Sequence, residues 1–241
     1  IIMPPNSHGT NQAQGKVYGA SYCSDSKGTI HAVFEVHLNN NDSEFHRSHQ
    51  IWYQRCERIT VSQSPEPVYD WDWTKSNPRL LTPDGDLFVG GSLYDFRTPS
   101  IVCDSQDRIH LVVSQVYVNV ADDGSTQNPF GKDVSQILYT SKAADEDNFA
   151  PIDMNADTTI NNGGWSRVSD LLLDDTDAQA NNPANSHHKT QYAVYPKICL
   201  RSDDIPVVFW YGGAGATYTD STRRDMAVYV NVGEKSPEHS L

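Results

Sequence analysis

The first chemistry that this sequence suggests is the binding of an acidic group by arginine. Arg97 stands in the segment Phe96-Arg97-Thr98-Pro99, directly before an apolar run that ends at Cys103. A guanidinium binds a carboxylate through two parallel hydrogen bonds, so Arg97 is a candidate for holding an acidic sugar. The other interpretation is that Arg97 belongs to a repeated structural unit and contacts no ligand.

A second chemistry, proton transfer, is suggested by His187 and His188, which are followed by Tyr192 and Tyr195. Histidine and tyrosine serve as general base and general acid, and a nearby arginine would neutralise the carboxylate beside the proton that is removed. The spacing of these four residues is not a recognised motif. It indicates only that the residue types of a lyase reaction are present.

The net charge excludes one class of partner. The 241 residues include 18 Lys and Arg against 31 Asp and Glu, a net charge of −13, whereas nucleic-acid binding depends on cationic contacts to phosphates. Every apolar run is shorter than the roughly 18 residues of a membrane span, and no signal-peptide pattern is visible. Abundant Asn, Asp, Ser, Thr and Tyr with few Lys favour an extracellular or cell-surface protein.

The cysteines do not form a metal-binding pattern. Cys23, Cys56, Cys103 and Cys199 include no Cys-x-x-Cys pair, so we predict no zinc site. Three of them stand in apolar, strand-like runs, which predicts small buried side chains; one disulfide is the alternative.

We expect no cofactor, with calcium as the one open alternative. Three acidic loops carry oxygen ligands of the kind that calcium prefers, and solvated turns are the other interpretation. None of the loops has the spacing of an EF-hand. They are residues 39–44, 82–87 and 174–182.

An internal repeat organises the chain. Three stretches align by eye: "CSDSKGTIHAVF" (23–34), "CDSQDRIHLVV" (103–113) and "CLRSDDIPVVFW" (199–210). Each has a short apolar run, a turn rich in polar residues and a β-branched run, which predicts a β-hairpin. The alignment matches Ile30, Ile109 and Ile205.

Later blocks extend the repeat to four strands. The matched tyrosines and tryptophans are Tyr53, Tyr139, Tyr229, Trp73 and Trp165. Four antiparallel strands at a long period are typical of β-propeller blades. We predict one all-β propeller segment with blades at about residues 17–82, 96–174 and 192–241, the last lacking its Trp-strand. Because propellers have about four to eight blades, the ring is completed by blades of a longer parent chain or by a homo-oligomer.

This order of blocks resembles the sialidase-like β-propellers with BNR (Asp-box) repeats. The resemblance lies in the run from Pro99 to Val113, in Tyr139-Thr140-Ser141 and in Trp165. The segment "SKAADEDNFA" from Ser141 is a degenerate Asp-box that lacks Gly and Trp. The resemblance implies a propeller, and propellers carry unrelated activities.

Arg97 occupies the place of the arginine in the Tyr/Phe-Arg-Ile-Pro motif of sialidases, so the resemblance implies a carboxylate-binding role. In that family the arginine is one of three that hold the substrate. The matching segments from Val17 and Val194 contain no arginine. A sialidase also requires a Tyr nucleophile with a Glu partner and an acidic acid/base residue, and no complete set is visible here.

Propeller ligands usually bind at one end of the ring, where two sets of loops meet. By analogy these are residues 39–49, 82–96, 119–133, 174–192 and 212–224, and such loops often carry function. Their Arg and His side chains would form a cationic patch suited to an acidic glycan, unless they are scattered by chance. The predicted ligand-binding residues are Arg97, His46, Arg47, His49, His187, His188, Tyr192, Trp210, Tyr211, Arg223 and Arg224.

The aromatic residues divide into two groups. Trp210 and Tyr211 are predicted to form an exposed platform for a sugar, because the glycines that follow let the backbone approach a ligand. Trp73 and Trp165 recur at one place in the repeat, which predicts packing between blades.

Two histidines also share one place in the repeat. They are His31 and His110, and Pro206 stands at that place in the third repeat. This recurrence predicts a structural role for both histidines.

The sequence favours glycan recognition without catalysis. We predict a secreted or surface propeller that binds an acidic carbohydrate as a lectin or adhesin does, because the repeats are clear and a full catalytic set is not. The alternative is a glycan-processing enzyme, either a sialidase-like hydrolase or a polysaccharide lyase. A second alternative is a protein–protein interaction scaffold.

Overall fold

A computed structural model of the chain describes residues 16–39, 47–63, 65–82, 88–89, 92–119, 134–150, 164–169, 191–214 and 227–233. These segments form three successive antiparallel sheets. The predicted fold class, all-β with about three propeller blades, is confirmed. The blade boundaries and the single-domain assignment stay predictions. Among the described residues, no helix has the length and apolar character to cross a membrane.

The three sheets are named blades 1, 2 and 3. Blade 1 has β1 (Lys16–Ser24), β2 (Ile30–Asn39), β3 (Arg47–Ser62) and β4 (Val68–Asp72), and β5 (Arg79–Leu80) also pairs with β3. Blade 2 has β6 (Phe88–Val89), β7 (Ser92–Cys103), β8 (Arg108–Asn119), β9 (Val134–Ala143) and β10 (Trp165–Arg167). Blade 3 has β11 (Gln191–Leu200), β12 (Pro206–Ala214) and β13 (Ala227–Val232).

A five-residue turn closes the inner hairpin of each blade. In blade 2 its first residue, Asp104, accepts hydrogen bonds through Oδ1 from the backbone N–H groups of Gln106 and Arg108, at 2.9 and 2.7 Å. The carboxylate thereby replaces backbone acceptors, as Asp does in turns. The fourth residue has a positive φ in every turn: 80° at Gly28, 61° at Asp107 and 63° at Asp204.

The turns correct the predicted alignment of the third repeat. In each blade the residue before the turn pairs with the residue after it, and these pairs are Ser24 with Ile30, Cys103 with Ile109 and Leu200 with Pro206. Ile205 is therefore the last turn residue, and the match with Ile30 is wrong by one position. Val207, and not Pro206, stands at the place of His31 and His110.

The match of Tyr229 is wrong by one position for the same reason. Tyr53 pairs with Val33 and Tyr139 with Val112, which stand three residues after Ile30 and Ile109, the residues that follow the two turns. In blade 3 the residue three places after Pro206 is Phe209, and it pairs with Val230.

The core lies between the blades. Leu111 and Val113 point towards blade 1, whereas Val112 between them packs against blade 3, because successive strand residues face opposite sides. The cluster between blades 1 and 2 also contains Val33, Ile51, Tyr53, Leu81, Phe96, Ile101, Ile109, Leu138, Ala144, Phe149 and Trp165. The cluster between blades 2 and 3 also contains Ile137, Ala193, Ile198, Val208 and Trp210.

The two matched tryptophans have different local structures. Trp165 begins β10 and is buried between blades 1 and 2, so its predicted packing role is confirmed. Trp73 does not lie in a strand, because Asp72 accepts a 2.8 Å hydrogen bond from the Thr74 N–H and starts a 3-10 helix at Trp73–Lys75. Trp73 packs on the opposite face of blade 1, against Ala32, Phe34, Val36 and Trp52.

All four cysteines are free thiols, so the alternative of a disulfide is wrong. Cys56 is buried, Cys23 and Cys103 are partly buried, and Cys199 is exposed, which contradicts the expectation of burial for a residue in an apolar run. Burial is the largest cause that raises the pKa of Cys23 to about 12 and that of Cys103 to about 11.

We expect one thiol of the folded chain to react rapidly with a disulfide reagent at neutral pH. The thiolate is the reactive form, and the raised pKa values keep Cys23 and Cys103 protonated while Cys56 is shielded. Counting the released chromophore before and after denaturation checks this. Cys199→Ser should remove the rapid phase, and rapid reaction of two or more thiols in the folded chain would contradict the expectation.

Candidate functional site

Arg97 lies on a bulge in the inner strand of blade 2. Pairing between β7 and β8 shifts between Arg97 and Ser100, which leaves Thr98 and Pro99 outside the ladder. Proline in a strand is found at such bulges because it has no N–H to donate. Thr98 has a φ of 51°, and a left-handed conformation at a non-glycine residue costs on the order of 1–3 kcal/mol. The bulge therefore needs contacts that hold it.

The same bulge recurs in blade 3, where pairing shifts between Val194 and Lys197 and Tyr195 has a φ of 54° before Pro196. Blade 1 has a shift between Val17 and Gly19. In blades 2 and 3 the proline thus marks the same backbone bulge, whereas the bulge of blade 1 contains no proline. Only the blade 2 copy of this bulge presents an arginine.

Two side chains hold the bulge of blade 2 from opposite sides. Glu35, on β2 of blade 1, accepts a 2.7 Å hydrogen bond from the Thr98 N–H through Oε2. Ser114, on β8, donates to the Arg97 carbonyl at 3.0 Å and contacts Thr98 Oγ1 at 3.0 Å. The backbone at Arg97 is therefore fixed, while its side chain is exposed.

Glu35 connects this bulge to a histidine and a tyrosine. It is 5% exposed, and its Oε1 lies 2.5 Å from Nδ1 of His49. The His49 ring stands 5.4 Å from the ring of Tyr18, centroid to centroid. Burial acts to raise the pKa of Glu35, but the hydrogen bonds from His49 and Thr98 and the charges of His49 and Arg97 outweigh it, so the pKa is lowered. Glu35 is held as a carboxylate.

The junction site, defined as Tyr18, Glu35, His49, Arg97 and Thr98, can bind an anion and move a proton. Arg97 supplies a bidentate donor for a carboxylate. The phenol of Tyr18 and the imidazole of His49 are general acid–base groups. Glu35 has both oxygens engaged, so it orients its neighbours and is poorly placed to attack or protonate a ligand.

The structure joins two of the predicted ligand-binding residues, Arg97 and His49, through Glu35. The prediction of an exposed Trp210 is wrong: Trp210 is 3% exposed and packs in the core, whereas its neighbour Tyr211 is 50% exposed. Trp210 is buried and Tyr211 exposed because successive residues of a strand face opposite sides of the sheet.

The backbones of Arg47 and Tyr192 lie in β3 and β11. The side chains of Arg47 and Tyr192, and the whole residues His46, His187, His188, Arg223 and Arg224, lie outside the description.

Sequence reasoning missed Tyr18 and Glu35. Glu35 had one available signal, since it is the acidic residue in the otherwise apolar and aromatic run "HAVFEVHL" of β2. Charged residues are rarely buried unless they are paired. Tyr18 had no comparable signal, because its position beside His49 depends on strand pairing.

A second polar network lies in blades 1 and 2, and it is buried. In blade 2, Nδ1 of His110 lies 2.7 Å from the Tyr139 hydroxyl, and Nε2 lies 3.1 Å from Oδ2 of Asp104. The matching distances in blade 1 are 2.7 Å from His31 to Tyr53 and 3.4 Å from His31 to Asp25. Blade 3 has no such network. Arg201 stands at the place of the aspartate, Val207 at that of the histidine and Val230 at that of the tyrosine.

These networks support the predicted structural role of the two histidines. His31 and His110 are 0% and 4% exposed, so no ligand reaches them. Burial is the largest cause that lowers the pKa of both histidines, against the opposing bonds to aspartate, and neutral rings therefore predominate at neutral pH.

No metal centre is found in the described part of the chain, where no three His, Cys, Asp or Glu side chains are placed to hold an ion. The three acidic loops considered for calcium lie almost wholly outside the described residues. Calcium binding there stays a prediction.

Comparison with known proteins gives structural similarity only. No protein-family model matches the sequence, and no curated protein matches it. A Hadza microbial sialidase matches with a TM-score of 0.49 and 9% identity over 91% of this chain and 35% of the sialidase. The catalytic domain of a β-fructofuranosidase from Microbacterium saccharophilum K-1 matches with a TM-score of 0.40 and 11% identity over 91% of this chain and 44% of that domain.

The chain therefore spans between a third and a half of the length of these two structures. At such identities and TM-scores the similarity does not support an assignment of activity. The fold assignment rests on the repeated sheets, turns and bulges described above.

Proposed function

We propose that this chain is part of a secreted or surface β-propeller that binds an acidic carbohydrate, with Arg97 holding the carboxylate of the sugar. The observation that carries the proposal is the fixed bulge, in which Glu35 and Ser114 hold the backbone on both sides of an exposed guanidinium. A donor on a fixed backbone loses less backbone freedom on binding than one on a mobile loop. Tyr18, 59% exposed, supplies an aromatic face within the same site.

A second function, lyase activity on a uronate-containing polysaccharide, is favoured by one observation. Tyr18 and His49 lie side by side, and Glu35 contacts Nδ1 of His49 as a carboxylate orients a catalytic base. This pair takes the role for which His187, His188 and Tyr192 were considered from sequence. Arg97 would neutralise the uronate carboxylate while the proton beside it is removed.

Calorimetric titration with sialyllactose and a galacturonate oligosaccharide tests the proposal, with lactose as the neutral counterpart. We expect Arg97→Ala to weaken binding of the acidic sugar by at least about tenfold, because a charge-assisted bidentate pair is lost. Arg97→Lys should bind with intermediate affinity, since the charge remains and the fork is lost. Arg201→Ala is the matched control, because Arg201 is an exposed arginine of the blade 3 turn.

Equal affinity for lactose, or unchanged binding by Arg97→Ala, would contradict the proposal. Turnover separates the two functions. Ultraviolet absorbance of an unsaturated uronide, produced by the wild type and lost in His49→Ala, supports the lyase. Binding of the acidic sugar without any such product excludes it and leaves recognition.

A further inference from the structure

The two blade junctions repeat the same contact between hairpin turns. The second turn residue of blade 1, Ser26, donates to the carboxylate of Asp107 in blade 2 from its N–H at 2.7 Å and its hydroxyl at 2.5 Å. Ser105 of blade 2 donates to Asp204 of blade 3 in the same two ways. The turns of blades 1 and 2 thus each offer a serine to the next blade, and the turns of blades 2 and 3 each offer a carboxylate from the fourth residue to the preceding blade.

A second contact between the inner strands also repeats. Ser21 Oγ in blade 1 accepts a 3.1 Å hydrogen bond from the Ile101 N–H in blade 2. Ser100 Oγ in blade 2 accepts a 3.3 Å hydrogen bond from the Ile198 N–H in blade 3. A further blade that docked in the same way would form both contacts.

The forward face of each blade is the face that it turns towards the next blade. Ile51 in blade 1 and Ile137 in blade 2 lie on forward faces and are 0% exposed. Their counterpart in blade 3, Val228, is 57% exposed. The forward face of blade 3 presents Val207, Phe209, Tyr211, Val228, Val230 and Val232. Its composition is that of a blade junction. Among these described residues Tyr211, Val228, Val230 and Val232 are exposed, Phe209 is half-buried and Val207 is buried.

The turn of blade 3 retains the serine that donates to the next blade in the repeated contact. Ser202 stands at the place of Ser26 and Ser105, because Arg201 makes the same turn bonds as Asp25 and Asp104, and Ser202 is exposed. The inner strand of blade 3 does not retain the serine that accepts a hydrogen bond from the next blade. Lys197 pairs with Phe209 and so stands at the place of Ser21 and Ser100.

A second copy of this chain does not match that face with its own blade 1. The fourth turn residue of blade 1 is Gly28, so no carboxylate is available for Ser202, and the guanidinium of Arg58 lies against Gly28 instead. At the inner strand, Lys197 is a donor and cannot accept from a backbone N–H. Both repeated contacts are absent from a head-to-tail pair.

We propose that the forward face of blade 3 docks a further antiparallel blade that differs from blade 1. Its inner turn carries a carboxylate at the fourth residue, which accepts from Ser202. Its inner strand presents an acidic group to Lys197 and an apolar face to the exposed valines. A homo-oligomer in which blade 1 of one copy closes on blade 3 of another would lack both repeated contacts. This inference is independent of the proposed carbohydrate.

Sedimentation of variants of the full chain tests the partner chemistry. Gly28→Asp together with Lys197→Ser restores both missing contacts between two copies. Aspartate occupies this turn position at positive φ in the other two blades, 61° at Asp107 and 63° at Asp204 against 80° at Gly28, and the Arg58 side chain, 3.0 Å from a Cβ at residue 28, has to move aside. We expect the double variant to associate head to tail at concentrations at least about tenfold below any association of the wild type.

Adding Ser202→Ala to the double variant should return the mass towards the single-chain value of 26.9 kDa. A folded double variant, shown by its circular dichroism, that associates no better than the wild type overturns the proposal. The wild type provides a second measurement that does not depend on folding of the variant. A discrete wild-type oligomer that Val230→Lys dissociates overturns the proposal, because the occupant would then be a second copy.

Discussion

Replacing Asp104 with alanine is expected to lower the free energy of unfolding by about 3–5 kcal/mol, since hydrogen bonds to a charged group are worth about 1.5–3 kcal/mol each. One carboxylate oxygen accepts from the turn N–H groups of Gln106 and Arg108, and the other lies 3.1 Å from Nε2 of His110. Alanine leaves a positive-φ turn without its side-chain acceptor and leaves Nε2 of the buried His110 without its contact to Asp104. Urea unfolding at neutral pH measures the loss.

Two matched variants separate this network from a general effect of removing charge. Asp104→Asn keeps an oxygen for the turn and should lose less stability than Asp104→Ala. Asp203→Ala removes a carboxylate from the blade 3 turn whose ion pair with Arg201 is on the surface, so its effect should stay within about 0.5 kcal/mol. If Asp104→Ala and Asp203→Ala lowered the free energy of unfolding equally, the network around Asp104 would contribute no stability of its own.

The sequence could predict the blades because their signals are local. A turn rich in Asp and Ser between β-branched runs defines a hairpin within about a dozen residues. The register of the third hairpin was harder to predict, because matching Ile205 to Ile30 by residue type ignores where the turn ends. The backbone hydrogen bonds of Arg201 show that the turn ends at Ile205. The one-residue shift also decides that Trp210 is buried and Tyr211 exposed.

The junction site could be predicted only in part, because its contacts are long-range. Arg97 and His49 were accessible from residue type and loop context. Glu35 and Thr98 are 63 residues apart in sequence, and nothing local to either residue indicates that blade 1 fixes the bulge of blade 2. A buried charge signals that a partner exists, but only the packing of the blades identifies it.

Glu35→Ala is expected to lower the free energy of unfolding by about 3 kcal/mol and to weaken acidic-sugar binding by at least about tenfold, because a buried charge pair and a backbone acceptor are lost together. Thr98 would keep its strained φ of 51° without the bond that stabilises it. Arg97 would then lose its fixed position. Urea unfolding and the same calorimetric titration measure the two effects.

Glu35→Gln distinguishes the charge from the hydrogen bonds, since the amide oxygen can still accept from the Thr98 N–H. The pKa of Glu35 is lower in the folded chain than its ordinary value of 4.5. The unfolded chain therefore binds the proton more readily, and the stability that Glu35 contributes is present above about pH 4.5 and is lost as the pH falls through the folded pKa. Between about pH 5 and pH 3 the wild type should lose more stability than Glu35→Gln.

Parallel profiles of stability against pH for the wild type and Glu35→Gln, together with full sugar binding by Glu35→Ala, would show that blade 1 has no part in positioning Arg97. Different profiles would identify Glu35 as the residue through which one blade prepares the ligand-binding surface of the next.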